Sequence, residues 1–293
     1  MKKGNAISIK TILKNISHAE DVNYQYILIR YFHERLIYRI VNSEYCNSFF
    51  LKGGALLYAI EGLHVRPTVD IDMLAQQISN DVEQIKQIFR AVCSLEYHDD
   101  CVVFDTERIE TKSIAEDDKY SGVRVLIEAG LDTIRQLLQI DIGFSDIITP
   151  APITLIYPVL IAELAKPIIQ ACSIETVIAE KFHAMIILGN FNSRMKDFYD
   201  VYILLKNNEI KEEILKEAVL QTFINRNTGF VECQELFNES FVEDRNRQVM
   251  WNAFLRKMKI KGVLDFPITV KTILERLQPI YNELSKANRA FTI

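Results

Sequence analysis

The chain has 293 residues, of which 49% are hydrophobic and 25% charged, and a formal net charge of −5. That length suits one large domain or two ordinary ones, and the composition is that of a globular protein. No apolar run of about eighteen residues occurs, so no membrane span is expected. Met1-Lys2-Lys3-Gly4-Asn5 is followed by neither a long apolar core nor a small-residue cleavage site, so it does not read as a signal peptide. The five cysteines (46, 93, 101, 172 and 233) are odd in number and sparse, and a reducing cytoplasm is expected. Cys93, His98 and Cys101 cluster, but their spacing matches no common zinc finger and no fourth ligand is in sight. Buried free thiols are expected instead. Charge is uneven: the first 165 residues carry −7 and the remainder +2. An acidic half followed by a mildly basic one is compatible with a polyanionic substrate.

In chain order, residues 7–43 read as helical, because Leu28, Ile29, Phe32, Leu36, Ile37 and Ile40 recur at helical spacing. Ser17 or Asp21 is placed to cap the second helix of this region. Phe49 to Lys52 reads as a strand, and Gly53 to Gly62 as a turn and short helix. Val69 to Leu74 reads as a second strand. Asp81 to Val92 is an amphipathic helix with Val82, Ile85, Phe89 and Val92 on one side. Three β-like runs follow, at Cys101–Phe104, Gly122–Ala129 and Arg135–Phe144. Alternation is clear in Val123-Arg124-Val125-Leu126-Ile127 and in Leu138-Gln139-Ile140-Asp141-Ile142. Pro150, Pro152, Pro158 and Pro167 mark a change of style. Beyond them the chain reads as almost wholly helical, at 174–189, 196–207, 209–224, 247–259 and 268–287, punctuated by Asn227-Thr228-Gly229 and Gly262. The expected fold class is α+β: a small mixed β-sheet core near 45–165, preceded by helices and followed by a helical region. The expected domains are 1–165 and 166–293, the second completing the active site.

The residues that carry chemistry begin with the glycine pair Gly53-Gly54, which lets the backbone approach a ligand closely, most often a phosphate. Asp70 and Asp72 stand at i and i+2 of a strand and so share a face, roughly 6.5 Å apart along the chain. Two like charges that close cost about 3 kcal/mol at an effective dielectric near 20 unless a cation lies between them. The pattern asks for a divalent metal beside a phosphate, which is the chemistry of nucleotidyl transfer. Asp70 and Asp72 would otherwise decorate an exposed strand edge. Apolar neighbours Val69, Ile71, Met73 and Leu74 argue for a packed strand instead.

Asp141 shares a face with Gln139, opposite Leu138, Ile140 and Ile142. If its strand pairs beside that of Asp70, three acids converge and can hold magnesium. Lys181 lies in a mostly apolar helical stripe with Val177, Ala184 and Leu188. An unpaired buried ammonium is costly, so Lys181 needs either a nucleotide phosphate or a carboxylate from elsewhere in the fold. Asp197 and Asp200 flank the buried stripe Phe198, Val201, Tyr202 and Leu205. On spacing alone they read as first-turn acids that favour the helix dipole. His183 and His64 have no visible partner for a nucleophilic triad.

Four blocks then resemble a known family: Leu51-Lys-Gly-Gly-Ala-Leu56, Arg66-Pro-Thr-Val-Asp-Ile-Asp72, Ile178-Ala-Glu-Lys181 and Arg194-Met-Lys-Asp-Phe-Tyr-Asp-Val-Tyr-Ile-Leu204. Together, over roughly residues 45 to 205, they look like the AbiEii/AbiGii nucleotidyltransferase toxins, of the wider polymerase-β-like nucleotidyltransferase fold. The resemblance implies a toxin paired with an antitoxin in a bacterial defence or stress locus. It implies transfer of a nucleotide from an NTP to RNA, the tRNA 3′ end in some relatives, which blocks aminoacylation. By position it implies that Asp70 and Asp72 are metal ligands, that Lys181 holds the triphosphate and that Asp197 is a further required acid. It places Gly53 and Gly54 along the phosphates and Arg66 beside the site. One departure is Ala55, where many relatives carry Ser or Thr.

The leading expectation is therefore a Mg²⁺-dependent nucleotidyltransferase toxin acting on RNA. Basic residues in Arg245–Lys261 (Arg245, Arg247, Arg256, Lys257, Lys259 and Lys261), with Trp251 among them, could hold a phosphate backbone; the alternative is a solvated helix face. Two other functions stay open: transfer to a protein or small molecule, and nucleotide binding without catalysis, for which Ala55 is the only support.

Overall fold

A computed structural model describes residues 5–117, 120–231, 234–260 and 264–290. Cys233, Lys261 and Gly262 lie outside them. The chain divides into two compact units. The first runs to Ser145 and takes in Ile153–Ala171; the second comprises Asp146–Pro152 and the chain from Cys172 onward.

The first unit begins with α1 (Ala6–Ala19) and α2 (Tyr24–Val41), then β1 (Phe49–Lys52), α3 (Gly53–Glu61), β2 (Asp70–Ala75) and α4 (Val82–Cys93). Strands β3 (Val103–Phe104), β4 (Glu110–Asp117), β5 (Tyr120–Leu131), β6 (Ile134–Gly143), β7 (Ile153–Ile156) and β8 (Ile168–Ala171) follow. They form one mixed sheet in the order β3-β5-β6-β2-β1-β8-β7, with β4 also paired to β5. β1 pairs antiparallel with β2, and β2 pairs parallel with β6. β2 is thus an interior strand, not an edge. Three of its residues, Ile71, Met73 and Leu74, are fully buried; Val69, just before the strand, is 57% exposed.

The alternation expected of β5 and β6 holds. Val123, Val125 and Ile127 are buried, as are Leu138, Ile140 and Ile142. Strands β4, β7 and β8 were not expected. β4 is a polar stretch on one side of β5, and β7 and β8 are four residues each, with Ile156 and Ile168 left exposed. The cap of α2 also differs from expectation. Asn23, not Ser17 or Asp21, accepts the Gln25 N–H, while the Ser17 hydroxyl donates to the Val22 carbonyl and Asp21 takes a positive φ.

Helix α2 is buried along most of its length although it carries charge. Arg30, His33, Glu34, Arg35 and Arg39 are all 5% exposed or less. The arginines and Glu34 each find a nearby partner, and burial raises Glu34 to about 8. Arg39 donates to Asp100 Oδ2 at 2.8 Å and to the carbonyls of Leu95 and Val102 at 3.0 Å each. Glu34 accepts the Leu160 N–H at 2.8 Å, and Arg35 donates to the Ala165 carbonyl at 3.1 Å. Arg30 lies 4.5 Å over the Tyr58 ring. The helix therefore ties the loops around 95–102 and 160–165 to the sheet by polar bonds that hydrophobic periodicity alone does not announce.

The second unit is helical: α5 (Ile174–Leu188), α6 (Met195–Asn207), α7 (Glu212–Asn225), α8 (Glu239–Val242), α9 (Arg245–Met258) and α10 (Phe266–Ala290). Ser173 caps α5 by accepting the Thr176 N–H. Phe182, Phe223 and Tyr281 meet in its core. α9 corrects the basic-surface expectation. Trp251 is 1% exposed and its indole donates to the Leu264 carbonyl. Arg247 is buried over the Phe241 ring and bonded to the Asn190 carbonyl. Neither is free to meet a nucleic acid; Arg245, Arg256, Lys257 and Lys259 remain exposed.

Removing one partner of a buried ion pair strands the other charge, at about 3–5 kcal/mol. Arg39→Gln is therefore expected to lower unfolding stability by about that much in urea titration, whereas Arg39→Met with Asp100→Leu together should recover only part of the loss, because the Leu95 and Val102 carbonyls and the Val102 N–H lose their partners.

Candidate active site

The site is built on the rim of the sheet where β1 turns into α3. Gly53 has φ +60°, a left-handed conformation suited to glycine. A Cβ there would stand 1.8 Å from Asp72 Oδ2. Gly54 is constrained differently: a Cβ on it would meet Thr68 Oγ1 at 2.6 Å. The pair thus clears room for the side chains of Thr68 and Asp72, in addition to any approach to a ligand. Lys52 provides no side-chain cap for α3. The Gly54 N–H instead points to Asp72 Oδ2, at 3.4 Å, so a carboxylate sits at the positive end of the helix.

Register completes the arrangement. Asp72 pairs with Asp141 across β2 and β6, Asp141 with Arg124 across β6 and β5, and Asp72 with Lys52 across β1 and β2. Paired residues point to the same face, so one row across four strands reads Lys52, Asp72, Asp141, Arg124: two acids flanked by two cations. Oxygens of Asp70, Asp72 and Asp141 all lie within 4.8 Å of one another. Each acid has its own local donor. The Thr68 hydroxyl donates to Asp70 Oδ1, the α3 backbone approaches Asp72, and Arg124 donates to both oxygens of Asp141, with Gln139 Nε2 adding a bond at 3.0 Å. His33, fully buried, is hydrogen-bonded to the Val69 backbone; burial holds its imidazole down to about 4, so it is neutral at pH 7. Arg66 is 7% exposed. Three convergent carboxylate oxygens are the hard donors that Mg²⁺ takes, and the residues fit that ion.

The second unit carries its own charge cluster. Lys181 Nζ, on α5, lies 2.6 Å from Asp197 Oδ1 and 2.9 Å from Asp200 Oδ2 on α6. Arg194 Nε stands 2.8 Å from Asp197 Oδ2. Both aspartates are 1% exposed, so they are more than solvated first-turn acids. Of the two reasons weighed for Lys181, the carboxylate partner is present. His183 is 6% exposed, bonded to Thr228 and packed on Phe223. Burial, then the Arg226 charge, lowers it to about 4. His64 is exposed beside Glu20. Among the described residues no Cys/His metal cluster occurs. Cys93 and Cys172 are buried, but Cys46 and Cys101 are only half-buried.

Residues 35–276 match the family model for the nucleotidyl transferase AbiEii toxin of Type IV TA systems. The chain belongs to the AbiEii family. It is a nucleotidyltransferase, its substrate class includes an NTP, and an antitoxin partner is implied. Two solved Helicobacter pylori chains are similar to it. One is JHP933, 14% identical, with a TM-score of 0.46 over 88% of this chain and 93% of that one. The other, described as a candidate nucleotidyltransferase, is 15% identical, with a TM-score of 0.44 over 86% of this chain and 93% of that one. No match among curated proteins was found. Among the described residues no helix is long and apolar enough to cross a membrane.

Sequence reading did not find Thr68, Arg124 or the Lys52 register position. Thr68 is two residues before Asp70 and could have been read as a same-face donor. Arg124 becomes visible only once β5 and β6 are aligned.

Gly53→Ala is expected to abolish nucleotide transfer and to lower stability by about 1–2 kcal/mol, the cost of a side chain in left-handed backbone. Gly54→Ala has no left-handed backbone to strain and presses on Thr68 rather than Asp72, so it should retain measurable transfer. Equal activity of Gly53→Ala and wild type in a labelled-NTP assay would contradict this geometry.

Proposed function

We propose that this AbiEii-family chain transfers a nucleoside monophosphate from an NTP to the 3′ end of an RNA, tRNA in particular, in a Mg²⁺-dependent reaction in the cytoplasm that halts translation and growth. The observation that carries the reading is the convergence of Asp70, Asp72 and Asp141 beside the Gly53-Gly54 turn. These three acids would hold the ion. When bound there, it supplies the positive charge that a triphosphate and its departing pyrophosphate require.

The chain's own residues do the rest. Gly53 keeps a side chain away from Asp72 and Gly54 keeps one away from Thr68, and the first turn of α3 offers backbone N–H groups to a phosphate. Ala55 is 1% exposed and brings no hydroxyl, so those N–H groups carry the contact that Ser or Thr shares in many relatives. Lys181 is assigned to the triphosphate and Asp197 to holding Lys181 in its charged, directed state; their 2.6 Å pair supports that division of labour. Arg66 is assigned to a phosphate. The choice of RNA rests on the family resemblance, since Trp251 and Arg247 are occupied in the core.

Purified protein with Mg²⁺, labelled NTPs and total RNA is expected to label RNA. Asp72→Ala and Lys181→Ala should each reduce labelling by about 100-fold or more. Label appearing in the protein fraction would replace the acceptor, and Asp72→Ala labelling as well as wild type would overturn the site.

A further inference from the structure

Asp141 already has a cation. Arg124 Nε lies 2.7 Å from Asp141 Oδ1, and its Nη2 lies 2.8 Å from Oδ2. This two-pronged fit is one a guanidinium makes and an ammonium does not. Gln139 adds a bond to Oδ2. A carboxylate offers about four lone-pair sites, so Asp141 keeps one, on Oδ1, with Arg124 in place. The Arg124 side chain is 30% exposed against 15% for Asp141, so it has a path outward. The three acids carry −3 between them, and Arg124 sets one positive charge against it at Asp141. A divalent cation that approaches Asp141 therefore meets a positive group already attached to one of its ligands. The same guanidinium offsets the mutual repulsion of the acids when that cation is absent.

We propose that Arg124 is the resident counter-ion of the carboxylate cluster: it holds Asp141 against its neighbours when no divalent cation is bound, and it weakens the binding of that cation. The inference rests on the proposed reading of the cluster as a metal site. Arg124 acts through Asp141 and is a positioning residue.

The test uses the full chain without nucleotide, and two readouts that need no activity. These are Mn²⁺ binding, followed by the electron paramagnetic resonance signal of the free ion, and the thermal midpoint in EDTA. Arg124→Gln is expected to bind Mn²⁺ at least tenfold more tightly than wild type and to melt several degrees lower in EDTA. Arg124→Lys keeps the charge but loses the fork, and should fall between the two on both readouts. It also answers the question if Arg124→Gln does not fold. Asp141→Asn should weaken Mn²⁺ binding. Binding by Arg124→Gln or Arg124→Lys that is no tighter than wild type overturns the counter-ion role while leaving the metal site intact. No Mn²⁺ binding by wild type or any variant overturns the metal-site reading, and this inference with it.

Discussion

Mutual repulsion among Asp70, Asp72 and Asp141 is the constraint around which the first unit is organised. Three carboxylates with oxygens within 4.8 Å would push a marginally stable sheet apart unless each is held. Each is held by a different element. Thr68 lies in the loop just before the strand that carries Asp70, the start of α3 faces Asp72, and β5 delivers Arg124 to Asp141. β2 lies inside the sheet with Ile71 and Met73 fully buried beneath the acids. Hydrophobic burial on one face therefore fixes the position of charge on the other.

The glycine turn belongs to the same arrangement. Its obvious reading is access for a phosphate, and its geometry adds a second demand. Asp72 Oδ2 occupies the place a Gly53 side chain would need. The diglycine and the Asp-x-Asp pattern, eighteen residues apart in sequence at Gly54 and Asp72, are thus two halves of one packing solution. The second unit shows the same economy of charge in a drier setting. Lys181 and Arg194 meet Asp197 and Asp200, with both acids at 1% exposure. Two carboxylates offset the cost of burying the Lys181 ammonium.

Much of this was legible in the sequence, for physical reasons. Asp70, Asp72 and Asp141 stood out because alternate residues of their strands are apolar, and period-two patterning survives without any knowledge of pairing. β1, α3, α5 and α6 were read within a few residues for the same kind of reason. Elements whose signal lies in pairing were lost. β4 is polar and gains its structure from β5; β7 and β8 are four residues each, set directly after Pro152 and Pro167, and gain theirs from pairing with each other. Arg124 lay in plain view within Val123-Arg124-Val125, but its partner is set by cross-strand register. In α9 two residues depart in the other direction. Arg247 and Trp251 sit among exposed cations in sequence, yet a carbonyl and an aromatic face on neighbouring elements draw them inward. Sequence spacing cannot distinguish a long basic side chain that faces solvent from one that, like Arg247, turns onto the core.

The central claim is that these three acids form one cation site. It is tested most directly by crystals of the protein grown with Mn²⁺ and a non-hydrolysable NTP, measured at the manganese absorption edge. The account predicts an anomalous peak with oxygens of Asp70, Asp72 and Asp141 around it at about 2.1 Å. A peak bound elsewhere, or no peak while nucleotide density is present over the glycine turn, would contradict it.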